Sequence, residues 1–121
     1  MQLIKVGFFR ELAHGSKTGL SLSESIRDKS HQEEEKIIKY LNEGTLFIAC
    51  PGVTKDVLNE LRGIIGAPHI YTDGVWAWCG DLSYYVKEYH IELPEKFIEN
   101  MRKNNWTVPS RTASEVEEFE L

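Results

Sequence analysis

The sequence predicts an α+β fold: a small antiparallel or mixed sheet that contains a D-G β-hairpin, with about three helices packed on it. Two observations predict it. Strand-like runs flank Asp73-Gly74, and three segments space their apolar residues as amphipathic helices do. The predicted strands cover 2–9, 46–50, 68–72 and 75–79, and the predicted helices cover 31–43, 82–90 and 95–104.

The first strand and the first helix follow from local patterns. Apolar and polar or small residues alternate over 4–8, the period of a half-buried strand. Ser30 and Glu33 have the spacing of a capping box, so we expect the helix to begin there and to stop before Gly44. The acidic run Glu33–Glu35 then lies in the first turn, where the helix dipole favours negative charge.

A continuous apolar run at 46–50 predicts a strand inside the sheet, ended by Pro51-Gly52. Thr54 is then expected to cap a short helix over 55–61.

The D-G pair predicts a hairpin with a two-residue turn, which would place Tyr71 opposite Trp76. Trp76 and Trp78 would point to one side of the sheet, and Cys79 would point to the other. We interpret most of the aromatic cluster at 71–89 as core that the helices cover.

The second helix is predicted to start after Asp81 as its N-cap. Tyr84 lies off the apolar stripe of this helix, so we expect it to be exposed between the carboxylates of Asp81 and Glu88. Pro94 suits the first position of the third helix.

We place a single globular domain at 1–109 and an acidic C-terminal tail, frayed or loosely docked, at 110–121 of the 121 residues. The net charge is −5 and Lys and Arg are not clustered, so we expect a basic protein partner and no direct nucleic-acid binding. No apolar run approaches the roughly 20 residues of a membrane span, and no secretory signal is recognisable. A cytoplasmic protein without membrane contact is expected.

The sequence predicts no catalytic residue, cofactor or metal site. Its four histidines lack metal-ligand spacing, and no phosphate-binding loop occurs. The best enzymatic alternative pairs Cys79 with His69 or His90, but the predicted hairpin points His69 away from Cys79. A thiol, an imidazole and a carboxylate that met in a closed hollow would contradict this interpretation.

The segment TDGVWAWCGDLSYYVKEYHIELPEKFIENMRKNNWTVP, about a third of the chain, carries three linked motifs. They are D-G-x-W-x-W, then L-x-x-Y-V-x-x-Y-H, then L-P-x-x-F. In these motifs the chain resembles small bacterial proteins that are similar to immunity proteins of contact-dependent growth-inhibition and polymorphic-toxin systems. The resemblance implies a stoichiometric inhibitor that binds a cognate toxin domain, with a nuclease as the expected toxin. We expect the protein to be a monomer. A protein-binding regulatory module and, less favoured, a small enzyme with a Cys/His site remain as alternatives.

An inhibitor of this kind needs a complementary surface, and acidic groups would suit the basic cleft of a nuclease. The first expected partner-binding patch is Asp81, Tyr84 and Glu88. Further expected partner-binding residues, on the first helix and in the tail, are Glu33, Glu34, Glu115, Glu117 and Glu118.

Overall fold

The computed structural model describes residues 1–121 and contains six strands, four α-helices and two 3₁₀ turns. The strands are β1 (Ile4–Lys5), β2 (Thr45–Ile48), β3 (Thr54–Lys55), β4 (Ile64–Gly66), β5 (Ile70–Thr72) and β6 (Trp76–Cys79). The helices are α1 (Glu34–Asn42), α2 (Leu82–Tyr89), α3 (Glu95–Lys103) and α4 (Ala113–Glu117). The 3₁₀ turns are Ser23–Ser25 and Glu60–Arg62.

Four strands form a mixed sheet in the order β1-β6-β5-β2, and β3 pairs with β4 in a separate ribbon. β1 runs parallel to β6, while the β2–β5 and β5–β6 pairs are antiparallel. The predicted α+β class, with about three helices on a small sheet, is confirmed. None of the helices combines the length and the apolar character needed to cross a lipid bilayer.

The hairpin forms, but its predicted register is wrong. Thr72 pairs with Ala77 and Tyr71 with Trp78, so four residues rather than two make the connection. The Asp73 carboxylate accepts the backbone N–H groups of Val75 and Trp76 at 2.9 and 2.7 Å, which holds a wider loop. Because the register moves by two residues, the predicted faces of the sheet are kept.

Both tryptophans of β6 are buried under α1 and α3, as the sequence predicts. Trp76 stacks on Phe97 with ring centroids 4.9 Å apart, and Trp78 lies 5.5 Å from the same ring. Tyr40 packs 6.1 Å from Trp78. These rings form the centre of one core cluster of 17 buried residues.

A buried carboxylate joins the hairpin to two helices. Asp73 is 1% exposed, and its Oδ2 accepts hydrogen bonds from the Tyr40 hydroxyl at 2.7 Å and from the Asn100 amide at 2.9 Å. Burial, followed by the contact with Asp73, raises the pKa of Tyr40 well above its usual value. A charged acceptor with this many donors is well satisfied, so Asp73 acts as a structural cross-link.

The N-terminal half departs from the prediction at its caps. α1 begins at Glu34, and the Ser30–Glu33 capping box does not form. Instead the N–H of Glu33 donates to Nδ1 of His31 at 3.0 Å, and the Glu33 carboxylate binds Arg102 at 2.7 Å. A distant guanidinium thus competes successfully for the side chain that a local box would need.

Two predicted segments are shorter or different. The first strand has only two residues, since Gly7 has a φ of 78° and the chain leaves the sheet there. The helix predicted over 55–61 is wrong: Thr54–Lys55 pairs with Ile64–Gly66, and only the 3₁₀ turn Glu60–Arg62 follows.

The acidic tail, residues 110–121, docks on the N-terminal strand region. The Thr112–Glu115 pair forms a complete capping box at the start of α4. Backbone hydrogen bonds then link Leu3 N–H to Glu120 at 2.6 Å and Glu120 N–H to Met1 at 2.8 Å. The tail is therefore held by main-chain pairing, together with contacts of Phe119 with Phe47 and of Arg111 with the Asp73 carbonyl.

Candidate functional site

The structure separates the predicted patch of Asp81, Tyr84 and Glu88. Asp81 is only 1% exposed, and its side chain does not cap α2 but faces His14. Tyr84 is half-buried, and the Glu88 carboxylate binds Arg62 at 2.6 Å. The expectation of an exposed Tyr84 between two surface carboxylates is thus wrong, because Asp81 is inside. A partner-binding function for Tyr84 and Glu88 stays a prediction.

Tyr84 instead helps to hold a buried acid. Asp56 is 0% exposed, and its Oδ2 accepts the hydroxyls of Tyr84 and Tyr89 at 2.7 and 2.6 Å. Its Oδ1 accepts the N–H groups of Leu58 and Asn59 at 2.8 and 3.0 Å. We call Asp56 with these two tyrosines the Asp56 clamp.

Electrostatics support a charged carboxylate in the Asp56 clamp. Burial alone would raise the pKa of Asp56, but the hydrogen bonds from Tyr89, Tyr84 and the two amides together hold it below its usual value. Burial and the same contact raise the pKa of Tyr89 to about 12. Tyr85 adds a link, since its hydroxyl donates to the Lys55 carbonyl at 3.1 Å.

The segment that these tyrosines hold exposes several large apolar side chains. We call residues 53–64 the apolar segment. Four of its eight exposed residues are large and apolar: Val53 at 59%, Val57 at 43%, Leu61 at 97% and Ile64 at 63%. β2, predicted to lie inside the sheet, is an edge strand instead, and it exposes Leu46 at 48% and Ile48 at 37%. Large exposed apolar side chains become an interaction surface where they adjoin, so this segment is the candidate contact region.

The other predicted acidic residues divide into paired and unpaired ones. Glu33 binds Arg102, Glu34 lies 2.9 Å from His90, and Glu115 lies 3.4 Å from Arg111. Glu117 and Glu118 are exposed, and their carboxylates have no hydrogen-bond or ion-pair partner. Of the predicted acidic groups, these two therefore have no internal partner that a binding protein would have to displace.

A cluster that the sequence did not predict lies at the N-terminal end of α2. The ligating atoms of His14, Cys79 and Asp81 all lie within 4.8 Å of one another, and His14 Nε2 is 3.2 Å from Asp81 Oδ2. His14 comes from the loop after β1, Cys79 ends β6, and Asp81 precedes α2. The fold thus brings together an imidazole, a thiol and a carboxylate.

The cluster borders a cavity of about 450 Å³. His14 and Asp81 line the cavity, with Val53 and Val57 of the apolar segment on its wall, whereas Cys79 does not line it and is 0% exposed. The meeting of a thiol, an imidazole and a carboxylate in a closed hollow would contradict a purely structural role for the hairpin. It is partly present here, because the imidazole and the carboxylate face the cavity and the thiol does not. A thiol this enclosed cannot reach a substrate as a nucleophile, but it can serve as a ligand.

The buried atoms of the cluster are poorly satisfied. Both carboxylate oxygens of Asp81 and Nε2 of His14 are enclosed and make no hydrogen bond, and their one polar contact is the ion pair at 3.2 Å between Nε2 and Oδ2. Contact with Asp81, then with Cys79, raises the pKa of His14 to about 10 against the effect of burial.

The cysteine–histidine pairs considered from the sequence do not form. Nδ1 of His69 accepts the N–H of Cys50 at 2.9 Å, and His90 faces Glu34. The histidine beside Cys79 is His14, from a Gly- and Ser-rich loop whose path the sequence does not indicate. The only local signal was the C-x-D spacing of Cys79 and Asp81, which is weak alone.

Comparison with known proteins adds no relative. No family model, no curated protein and no solved structure matches this chain.

Proposed function

We propose that this protein is a stoichiometric inhibitor, an immunity protein that binds and neutralises a cognate bacterial toxin. One observation carries the proposal: the apolar segment exposes four large side chains while the Asp56 clamp fixes its backbone to α2. The acidic patch inferred from the sequence is replaced as the main contact by this apolar one.

Rigid exposed apolar groups suit tight binding. Immobilising a side chain at an interface costs about 0.5–1.5 kcal/mol, and ordering a flexible loop adds to this; a segment whose backbone is already fixed avoids the loop-ordering part. Leu61 is 97% exposed, so nearly its whole side chain is available for burial. Fully burying a leucine is worth about 1.5–3 kcal/mol, a large share for one anchor.

Charge supports the toxin class that we propose, a nuclease with a basic cleft. The chain has a net charge of −5, and Glu117 and Glu118 have no internal partner. Such charge raises the rate of association with a basic surface and discriminates against acidic proteins. It contributes to specificity, while the apolar contacts provide affinity.

Co-expression with the C-terminal fragment of the protein encoded by the neighbouring gene tests whether that fragment is the toxin and this chain its inhibitor. Wild-type protein should restore growth and elute with the fragment as a one-to-one complex. Leu61→Asp should abolish both, because an unpaired carboxylate would be buried at the anchor position. Leu20→Asp is the matched control, since Leu20 is 71% exposed but lies outside the apolar segment.

Each outcome has a clear meaning. Growth that is not restored by the wild-type protein would refute the immunity function. A one-to-one complex with another protein, lost in Leu61→Asp but without effect on toxicity, would favour the alternative of a regulatory binding module.

A further inference from the structure

We propose that His14, Cys79 and Asp81 bind one zinc ion, with a fourth coordination position that opens toward the adjoining cavity. The inference is independent of the proposed inhibitor function. It concerns a site formed by the loop after β1 and the two ends of the β6–α2 connection.

The donor set is one that zinc prefers. Zn²⁺ is bound in proteins by Cys sulfur, His nitrogen and Asp oxygen, and a thiolate disfavours Mg²⁺ and Ca²⁺. With bonds of about 2.0–2.3 Å, tetrahedral ligand atoms lie about 3.3–3.7 Å apart. His14 Nε2 and Asp81 Oδ2 are 3.2 Å apart, and the thiol lies within 4.8 Å of both. A movement of about 1 Å by the Cys79 side chain would complete this geometry.

The unsatisfied carboxylate is an independent indication of a ligand. Asp81 is only 1% exposed, and neither of its oxygens accepts a hydrogen bond. Most buried polar side-chain atoms have a hydrogen-bond partner, whereas Asp81 has only the 3.2 Å ion-pair contact with Nε2 of His14. Asp73 and Asp56 are equally buried, yet each accepts four hydrogen bonds.

Charge balance favours a divalent ion at this position. A thiolate and a carboxylate contribute two negative charges, which one Zn²⁺ neutralises with a neutral imidazole as third ligand. The buried site then carries no net charge. Metal binding would accordingly release the thiol proton and any proton held on the imidazole.

The cavity accounts for the missing fourth ligand. His14 and Asp81 line a space of about 450 Å³ that can hold a zinc-bound water, and Lys55 is the only other ionisable residue on its wall. Three protein ligands with one open position is the arrangement of catalytic rather than structural zinc sites. The cavity also gives the ion an entry path, which the enclosed Cys79 alone would lack.

Metal titration of the purified full chain tests the proposal. After EDTA treatment and dialysis, the protein is titrated with Zn²⁺ against a chromophoric chelator, and separately with Co²⁺. We expect one Zn²⁺ per chain and a thiolate-to-cobalt charge-transfer band in the near-ultraviolet. Cys79→Ser should remove this band, and Asp81→Asn should weaken zinc binding by about 100-fold or more, since even changes to outer-shell partners cost 10–100-fold.

Cys50→Ser is the matched control, because Cys50 is the only other thiol and is not part of the cluster. It should keep the band and the affinity. Near-ultraviolet circular dichroism checks that each variant folds. If the wild-type chain takes up no zinc and shows no thiolate–cobalt band, the proposal is refuted and the cluster is a metal-free contact between His14 and Asp81. A band that survives in Cys79→Ser refutes it equally.

Discussion

Replacing Asp56 with asparagine tests how the apolar segment is fixed. The carboxylate accepts two tyrosine hydroxyls on one oxygen and two backbone N–H groups on the other. The backbone donors can use only an oxygen, so the amide that replaces the carboxylate must turn its NH₂ group toward Tyr84 and Tyr89. Both hydroxyls then lose their charged acceptor while the volume of the side chain stays the same.

The expected loss can be worked out from these two contacts. A hydrogen bond to a charged group contributes about 1.5–3 kcal/mol and one between neutral groups about 0.5–1.5, a difference of about 1 kcal/mol for each tyrosine. Asp56→Asn should therefore lower the free energy of unfolding by at least about 2 kcal/mol, since the two backbone N–H groups also exchange a charged acceptor for a neutral one. Tyr84→Phe and Tyr89→Phe, which keep the rings, should cost about 1–2 kcal/mol each.

Urea unfolding of the single and double variants measures the loss and its coupling. In the Asp56→Asn background, Tyr84→Phe should cost about 1 kcal/mol less than in the wild type, because its acceptor has already changed. In the Asp56→Asn variant, hydrogen exchange should show faster opening of residues 53–64 than of α1 and α3. The reasoning would be refuted if the stability of Asp56→Asn lay within about 0.5 kcal/mol of the wild type, the error expected of additivity. It would also be refuted if Tyr84→Phe cost the same stability in both backgrounds.

Two further predictions concern packing and acid. A Cβ on Gly44 would lie 2.6 Å from Cζ2 of Trp78, so Gly44→Ala should lower stability in thermal unfolding by about 1–3 kcal/mol. A Cβ on Gly66 meets nothing within 4 Å, so Gly66→Ala should stay within about 0.5 kcal/mol of the wild type. Equal effects of the two substitutions would contradict the close approach of Gly44 to Trp78. Although its partial burial would raise it, hydrogen bonds from Ser23, Leu22 and Ser21 lower the pKa of Glu11 to about 2. The contribution of Glu11 to stability is thus complete above the ordinary pKa of 4.5 and is lost as the pH falls toward 2. Hydrogen exchange of the backbone amides in 21–25, corrected for the intrinsic rate, should therefore accelerate over this range in the wild type. In Glu11→Gln the corrected rate should not depend on pH. A matching acid response in Glu11→Gln would contradict this origin.

The parts of the fold that depend on periodicity were predictable. The apolar stripes of α1, α2 and α3 and the alternation around Trp76 and Trp78 report local geometry, which tertiary contacts preserved. Boundaries and caps were less predictable. The side chain of Glu33, for example, binds Arg102 instead of completing a capping box at the start of α1. The hairpin register changed for a similar reason: Asp73 gains more from internal donors than a tight turn offers.

The candidate sites depended on long-range contacts and were not predictable. Tyr84 looked exposed because its helix alone leaves it outside the apolar stripe, yet the chain folds back and places Asp56 on its hydroxyl. Asp81 had every local mark of an N-cap, and only the path of the loop that carries His14 turns it inward. The spacing of apolar residues indicates whether a segment is a helix or a strand, but it does not indicate which distant segment packs against it.

Calorimetric titration of the toxin fragment into three proteins tests the central claim most directly, that the apolar segment grips a partner. We predict tight one-to-one binding by the wild type and by Leu20→Asp. For Leu61→Asp we predict a dissociation constant raised by at least about 10–100-fold, since losing a buried leucine costs about 1.5–3 kcal/mol and each 1.4 kcal/mol is tenfold. Equal dissociation constants for Leu61→Asp and Leu20→Asp would contradict the claim.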